Sequence, residues 1–548
     1  MLENFDPNDI QDLESAHQAI LYILNVIENL VSENHELREK NQRLRDENNH
    51  LKGEQGKPKI KAGKKPRSTS TSDHSSEQAR RRGKKRTRRA KVQEVQIDRE
   101  WPLDLDRTQL PADAESKGYV PVVVQDVRLT TDNIRFLKEK RYSPSQKKSY
   151  LAELPAGYEG EFGPGVHALV RVLYHAVNTS EPKIVEFLEY IGVHISSGQV
   201  SNLLIKGQEQ FHDEKDAVYE AGLRSSPWQH IDDTGTRVNG VNQHCHVVCN
   251  PLYTVYFTTA QKDRLTVIDV LTNLRPRTYL LLAKTYDWLR QANVSASVLE
   301  RLRHLPQDRA LDDEPFNRLL DQHLADVNAQ HRRRILEAAA VTAYQTQQET
   351  PVVQLLLSDD APQFKRVTNE LALCWVHDAR HYKKLSPAVT YHRRLLDEFM
   401  NRYWAFYDAL LAYRTAPAPE QVPRLAQAFD ELFSTVTDYT GLDRRIAMTR
   451  DKKEALLMVL RHPEIPLHNN PAEIEIRRRV RKRDVSFGPR TEEGKRAWDT
   501  FATLSATTKK LGVSFYRYVY DRVTESGEIP DLADLIVTRA QQMNLAAS

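Results

Sequence analysis

Leucine recurs every seven residues near the N-terminus, at Leu30, Leu37, Leu44 and Leu51, and Ile23 begins the same series. With these as d positions, the a positions are Ile20, Ile27, Asn34, Asn41 and Asn48. Apolar d with Ile and then Asn at a describes a parallel two-stranded coiled coil, the asparagines lowering stability but fixing register. The pattern therefore predicts a coiled-coil dimerisation helix within residues 1–52; the alternative is a helix packed on its own body. Further on, VQEVQI and GYVPVVVQDV read as short strands in a small mixed region, 94–160, of no assignable fold. From Gly165 the period turns helical, through VHALVRVLYHAV, EPKIVEFLEYI and SSGQVSNLLIKGQEQF. Thr179 or Ser180 can cap the second of these, with Pro182 in its first turn. Ser196 or Ser197 can cap the third, and Gly192 supplies the turn between them. Helix, glycine turn and helix give 161–224 the outline of a helix-turn-helix.

The period shortens to two at Trp228. WQHID, QHCHVVC and YTVYFTTA read as strands, the last two joined by a turn at Asn250-Pro251. DRLTVIDVLTNL predicts a helix, and residues 278–347 are helical and charged with no strand signal. VVQLLLSDDA is a continuous apolar run, the mark of a central strand buried on both faces, and LALCWVH is another. Amphipathic helices fill 385–460, and PAEIEIRRRVRKR opens one more. The expected fold is multidomain and mainly α, with an α/β layered core carrying helical insertions at about 275–350 and 385–465.

Charge adds an arm to this picture. The 548-residue chain has a net charge of +4, but residues 57–91 hold 15 Lys or Arg against Asp73 and Glu77, a segment of +13, so the remainder is 4 − 13 = −9. The stretch 53–93 is a basic low-complexity linker. Its cluster Arg80, Arg81, Arg82, Lys84, Lys85, Arg86, Arg88 and Arg89 is the expected DNA contact, because cations on phosphate release counterions; the alternative is a solvated linker without a partner. In a leucine-zipper transcription factor the basic helix precedes the zipper, and the reversed order here argues against that class. Three cysteines, Cys245, Cys249 and Cys374, are too few and too sparse for a disulfide framework. No signal-like start and no run of ~18 apolar residues is present, so a soluble cytoplasmic protein without a membrane partner is expected.

Asp232 ends the WQHID run and Asp359 ends VVQLLLSD. Carboxylates at the ends of apolar strands are costly unless solvated, paired or bound to a cation. Two such groups on adjacent strands, completed by a carboxylate from a helix, can hold hard cations that activate a hydroxyl nucleophile at phosphorus. Each has a structural alternative: Asp232 and Asp233 as turn residues in DDTG, Asp359 and Asp360 likewise in SDDAP, and Glu473 as the third helical residue of a capping box begun by Asn470.

The strings HIDDTGTRV, LLSDDA, CWVHDARHYKK, HNNPAEIEIRRRVRKRDVSFG and TTKKLGVSFYRYV, in that order from about His230 to Tyr518, resemble the insertion sequence 66 family of bacterial transposases. The resemblance implies a ribonuclease H-like catalytic domain over 225–500, a C-terminal helical tail over 501–548, and cleavage of element ends followed by joining of 3′-hydroxyls to target DNA. It implies an acid triad of Asp232, Asp359 and Glu473, with two Mg2+ ions (Mn2+ as a substitute). Asp233, Asp360 and Glu475 face away from that site by strand and helix geometry. It also implies DNA ends and target DNA as partners, a homodimer or larger assembly through the N-terminal helix, and accessory element-encoded proteins. Family members often carry a cysteine-rich zinc unit where 94–160 stands here without a cysteine, so no zinc is expected. The 127 residues between Asp232 and Asp359 point to an insertion at 278–347, and Gly235 replaces the family's proline. These departures leave open a transposase-derived DNA-binding protein that has lost catalysis.

Weaker signals surround the triad. Arg478, Arg481 and Lys482 follow Glu473 and are expected at the DNA backbone. His377 either touches the scissile phosphate or only closes a helix. His230 shares a strand face with Asp232, and either orients it or simply packs. A site of three cysteines with His377 has the donors for zinc, but Cys245 and Cys249 share one strand face, where cysteine is usually a small core residue.

Overall fold

The computed structural model describes residues 10, 12–51, 97–105, 118–158, 160–543 and 545. The arginine and lysine cluster at 80–89 lies outside them. The protein is mainly helical around one mixed sheet. The N-terminal helix α1 (Leu13–Leu51) is followed by a hairpin of β1 (Lys140–Ser143) and β2 (Lys148–Leu151). GYVPVVVQDV, expected as a strand, is extended but unpaired. Val120, Val122 and Val124 are at least 80% exposed, and backbone groups without a neighbouring strand stay with water.

The helix-turn-helix-like stretch forms α2 (Pro164–Arg171) with a π turn at Val172–Ala176, α3 (Glu181–Tyr190) and α4 (Ser197–Ile205). Gly192 turns the chain at φ +85°, and the Ser196 hydroxyl accepts from the Gln199 amide at 3.2 Å, capping α4. Ile184, Leu188, Val200, Leu203 and Leu204 close a small separate core. Helix α5 (Glu209–Arg224) then leads into the central sheet.

That sheet has the order β5-β4-β3-β8-β9. β3 (Trp228–Val238) and β4 (Val241–Cys249) form a hairpin closed by Asn239-Gly240, both at positive φ, the residue pair such tight turns require. β5 (Thr254–Thr259) pairs antiparallel to β4, after a turn in which the Asn250 carboxamide accepts from the Leu252 amide at 2.9 Å. Helix α6 (Arg264–Leu271), capped by Asp263, follows. The 278–347 block is helical as expected, with α7 (Ala283–Gln291), α8 (Ala296–Leu302), α9 (Asp313–His323) and α10 (Ala329–Thr346). It is tied shut by a two-residue ladder between β6 (Thr278–Tyr279) and β7 (Leu311–Asp312), too short to leave a period in the sequence. β8 (Leu355–Ser358), buried at every position, pairs parallel to β3 and to β9 (Glu370–Leu373). LALCWVH is therefore strand only to Leu373; Trp375 starts helix α11 (Trp375–Lys383).

Both faces of the sheet are covered. Ile231, Val248, Val255, Phe257 and Leu356 pack with α5, α6 and the 278–347 block. On the other face Trp228, Leu355 and Leu357 pack with Trp375 and with α12 (Thr390–Thr415), α13 (Gln421–Phe433) and α14 (Thr440–Arg450). A short α15 (Lys453–Leu456) precedes α16 (Asn470–Ser486), then α17 (Glu492–Lys510), α18 (Phe515–Thr524) and α19 (Leu532–Gln542). α17 seals the free edge of β5. Thr507, Thr503 and Asp499, four residues apart along the helix, accept from the amides of Thr254, Tyr256 and Thr258, two apart along the strand. Four helical residues rise ~6 Å and two strand residues ~6.8 Å, so the two rows match.

The first half of α1 is docked on the chain's own helical part. Leu21 and Val26 are buried, the Asn25 carboxamide bonds Asp438 and Thr440, and the Glu28 carboxylate accepts from the Ala388 and Val389 amides at 2.7 and 3.0 Å, at the N-terminus of α12. Leu30, Leu37 and Leu44 are more than half exposed. Glu28→Ala is expected to cost ~1–2 kcal/mol, the size of a lost helix cap, and to speed proteolysis within α1. Unchanged protease kinetics would show that the docking contributes nothing.

Candidate active site

β3 outruns its parallel neighbour. The pairing with β8 ends at His230 opposite Leu357, so Asp232 lies two residues beyond it, in mid-strand rather than at a strand end. Asp359 follows directly on the last residue of β8. Both carboxylates thus stand at the carboxyl end of the parallel pair, where the sheet leaves a crevice. Glu473 comes from the first turn of α16, which packs against β3.

Asp232 feels the acids around it, Asp233 on the other strand face included. The carboxyl of Asp232 is pushed up to about 7, chiefly by burial, then by the Asp359 carboxylate, with a smaller push from Glu473. Its Oδ1 accepts from the Asp233 amide at 2.8 Å. Asp359 Oδ1 accepts from the Ala361 amide at 3.1 Å, the Asx turn expected of SDDAP. The DDTG turn does not form, because Asp232 and Asp233 are both strand residues.

The neighbouring acids are spent elsewhere. Asp233, on the opposite strand face, is held by Gln363 Nε2 at 2.6 Å and Lys262 Nζ at 3.3 Å. Asp360 pairs with Lys365 at 2.7 Å and Lys452 at 2.6 Å; burial alone would raise its carboxyl, and these two bonds bring it below its usual value. Glu475 accepts from the Tyr256 hydroxyl at 2.7 Å and from Arg478 at 2.9 Å.

Glu473 makes no capping box. The N-cap is Asn469 without a side-chain cap bond, and its carboxamide goes instead to His230 Nδ1 and to the Ile231 carbonyl, both at 2.8 Å. His230 accordingly ties β3 to the start of α16 and does not orient Asp232. The Glu473 carboxylate accepts from one guanidinium nitrogen of Arg380 at 2.9 Å to each oxygen and from Arg477 at 3.3 Å, with His377 Nε2 at 3.5 Å. His377 and Arg380 are three residues apart on α11 and share a face. Their mutual contact is 2.8 Å, and His377 Nδ1 is buried without a hydrogen-bond partner among the described residues. The imidazole is held below its usual pKa by burial first and by Arg380 second. Trp375 anchors that helix: its amide donates to the Leu467 carbonyl and its indole to the Leu456 carbonyl.

Arg481, expected at DNA, is exposed and makes no ion pair or hydrogen bond with a described residue, while Arg478 is half-buried on Glu475. Lys482 departs from expectation. It is buried, with Nζ 2.6 Å from the Tyr174 carbonyl and over the Tyr174 ring, and burial lowers its amine to about 7. It joins α16 to the helix-turn-helix-like part, out of reach of a phosphate. Cys245 and Cys249 pack with Val247, Tyr256 and Ala472, while Cys374 Sγ accepts from the Asn469 amide at 3.2 Å. All three are buried free thiols, raised by burial to about 11 or 12.

As arranged here, no group of three or more His, Cys, Asp or Glu side chains among the described residues can hold a metal ion. The Glu473 oxygens face Arg380, which occupies both of them. Asp232 and Asp359 carry hard oxygen donors of the kind Mg2+ takes. Arg380 and Asn469 were not singled out from sequence. The signals were the three-residue spacing from His377 and the doubled asparagine ahead of Glu473.

The model of the transposase IS66 family matches residues 328–497, a span that holds Asp359, His377, Arg380 and Glu473 but not Asp232. The chain is also similar to an uncharacterized protein, y4jO, of Sinorhizobium fredii, 33% identical over 324 residues that make up 59% of this chain and 100% of that protein. No described helix is long and apolar enough to cross a membrane.

Proposed function

The chain belongs to the IS66 family of transposases, and from that premise we propose that it cuts the ends of a DNA element and joins the freed 3′-hydroxyls to target DNA. The observation that carries this reading is the placement of Asp232 and Asp359 at the carboxyl end of the parallel β3–β8 pair, with Glu473 on the first turn of α16 packed against β3. The core is proposed to be ribonuclease H-like. An antiparallel β3-β4-β5 meander continued by parallel β8 and β9, with helices on both faces, supports this.

Two divalent ions, when bound, would activate the attacking hydroxyl and stabilise the leaving oxygen at phosphorus. Asp232, Asp359 and Glu473 would supply their oxygens. Asn469 fixes where α16 starts relative to β3, and so where Glu473 sits. Lys262 and Gln363 keep Asp233 on the far face. Arg380, released from Glu473, and His377 stand where a scissile phosphate would need cationic and hydrogen-bonding partners. The exposed leucine seam of α1 is proposed to pair two chains as a coiled coil, with asparagine at a setting its register. The arm at 57–91 and the 161–224 region are proposed to hold element ends.

Full-length protein is expected to nick a DNA fragment carrying the gene's own flanks when Mg2+ is added, and Asp359→Asn is expected not to. Equal cleavage by both would remove Asp359 from the chemistry. One observation favours a second reading. Arg380 satisfies Glu473 so fully that a DNA-binding protein without catalysis would need no further change; it predicts tight, salt-sensitive DNA binding and no nicking by wild type.

A further inference from the structure

A cleft of about 430 Å³ opens next to Asp233, on the face of β3 opposite Asp232, lined in part by residues from the 278–347 block. One wall is a single face of α10, where Gln330, Arg333, Arg334 and Glu337 follow at spacings of three, one and three. Facing it are Lys262 and Gln363, the same two residues that hold Asp233. Asp232 and Asp233 are consecutive in β3, so cleft and catalytic face meet round the strand edge that β8 leaves free.

The charge of the cleft is not internally balanced. Among the lining residues Lys262, Arg264, Arg333 and Arg334 stand against Asp263 and Glu337, a net of +2, which the pairing of Lys262 with Asp233 brings to +1. Both acids are already used. Asp263 caps α6, accepting from the Thr266 amide at 2.9 Å, and Glu337 is paired with Arg264 and with Arg333, the latter at 2.9 Å. Arg264 is itself a strut, donating to the Lys365 and Pro362 carbonyls. Arg334 remains, half-buried and without an ion pair or hydrogen bond to any described residue. A guanidinium so placed is free to take an anionic partner.

We propose that this cleft binds the phosphodiester backbone of the DNA strand passing the catalytic carboxylates, with Arg334 and Lys262 on phosphate oxygens. The 278–347 block is then a DNA-holding wall of the site. The proposal rests on the transposase reading above.

The test is disulfide cross-linking of the full-length chain. Cys245, Cys249 and Cys374 are buried, so Arg334→Cys adds an accessible thiol against a low background. The probe is a flank DNA fragment with thiol tethers on backbone phosphates on either side of the nick. Arg394→Cys, on an exposed part of α12, serves as the distant control. Cross-linking at position 334 is expected to exceed the control at least fivefold for tethers close to the nick. Arg334→Ala is expected to lower the slope of log affinity against log salt by about 0.9, one phosphate contact. Equal cross-linking at 334 and 394 with an unchanged slope overturns the proposal. Nicking without selective cross-linking removes the cleft and keeps the catalysis. Selective cross-linking without nicking by wild type keeps the cleft and removes the catalysis.

Discussion

Asp232→Asn is expected to end cleavage and, in the same protein, to raise the melting temperature of the metal-free chain at pH 8. The two effects share one cause. The Asp232 carboxyl titrates near 7 in the fold, against 3.8 for an ordinary aspartate, because it is buried beside Asp359. The folded chain therefore retains a proton that the unfolded chain releases between about pH 4 and 7. Stability is lost as pH rises through that window and stays low above it. Asparagine keeps the size of the side chain and the acceptor for the Asp233 amide but carries no charge. The gap between variant and wild type should be small at pH 4, widen up to pH 7, and reach at most about 4 kcal/mol. Mg2+ should then reverse the order by stabilising wild type and leaving the variant unmoved. Thermal unfolding from pH 5 to 8, with and without Mg2+, checks all of this. Identical curves for both proteins would mean that neither burial nor Asp359 raises the Asp232 carboxyl in the fold.

Arg380→Gln is expected to tighten divalent-cation binding about tenfold while lowering the stability of the metal-free chain. Arg380 occupies both oxygens of Glu473, and a hydrogen bond to a charged group is worth ~1.5–3 kcal/mol, a tenfold change or more in a competing equilibrium. Glutamine leaves Glu473 with Arg477 and His377 as remaining partners, so the cation has less to displace. Removing one partner of a partly enclosed charge also destabilises the apoprotein. Mn2+ titration followed by electron paramagnetic resonance reads the affinity without DNA and without turnover. Weaker binding in the variant would show that Arg380 instead holds Glu473 in the orientation the cation needs.

Much of the sheet and its helices was legible because their signals are local. A continuous apolar run marked β8, alternation marked β3, β4 and β5, and serine and glycine marked the ends of α4 and its neighbours. The Asn239-Gly240 pair, itself a local hairpin signal, carries β3 well past WQHID and puts Asp232 in mid-strand. Other features left no such trace. The valine-rich GYVPVVVQDV alternates like a strand but has nothing to pair with. Lys482 stands in a run of cations that reads as a DNA face, yet α16 turns it inward onto Tyr174.

By itself the sequence determined where chain segments become strand or helix, which acids end the apolar runs, and the order of motifs that marks the family. Those properties depend on neighbours a few residues away, and a linear pattern carries them. The tertiary structure decided which acids remain available. Asp233, Asp360 and Glu475 are each neutralised by a cation or hydroxyl from a distant segment, and Glu473 is held by an arginine 93 positions earlier. Burial and the sum of surrounding charges set whether a carboxylate is strained or satisfied, and both belong to the packed chain rather than to any stretch of it.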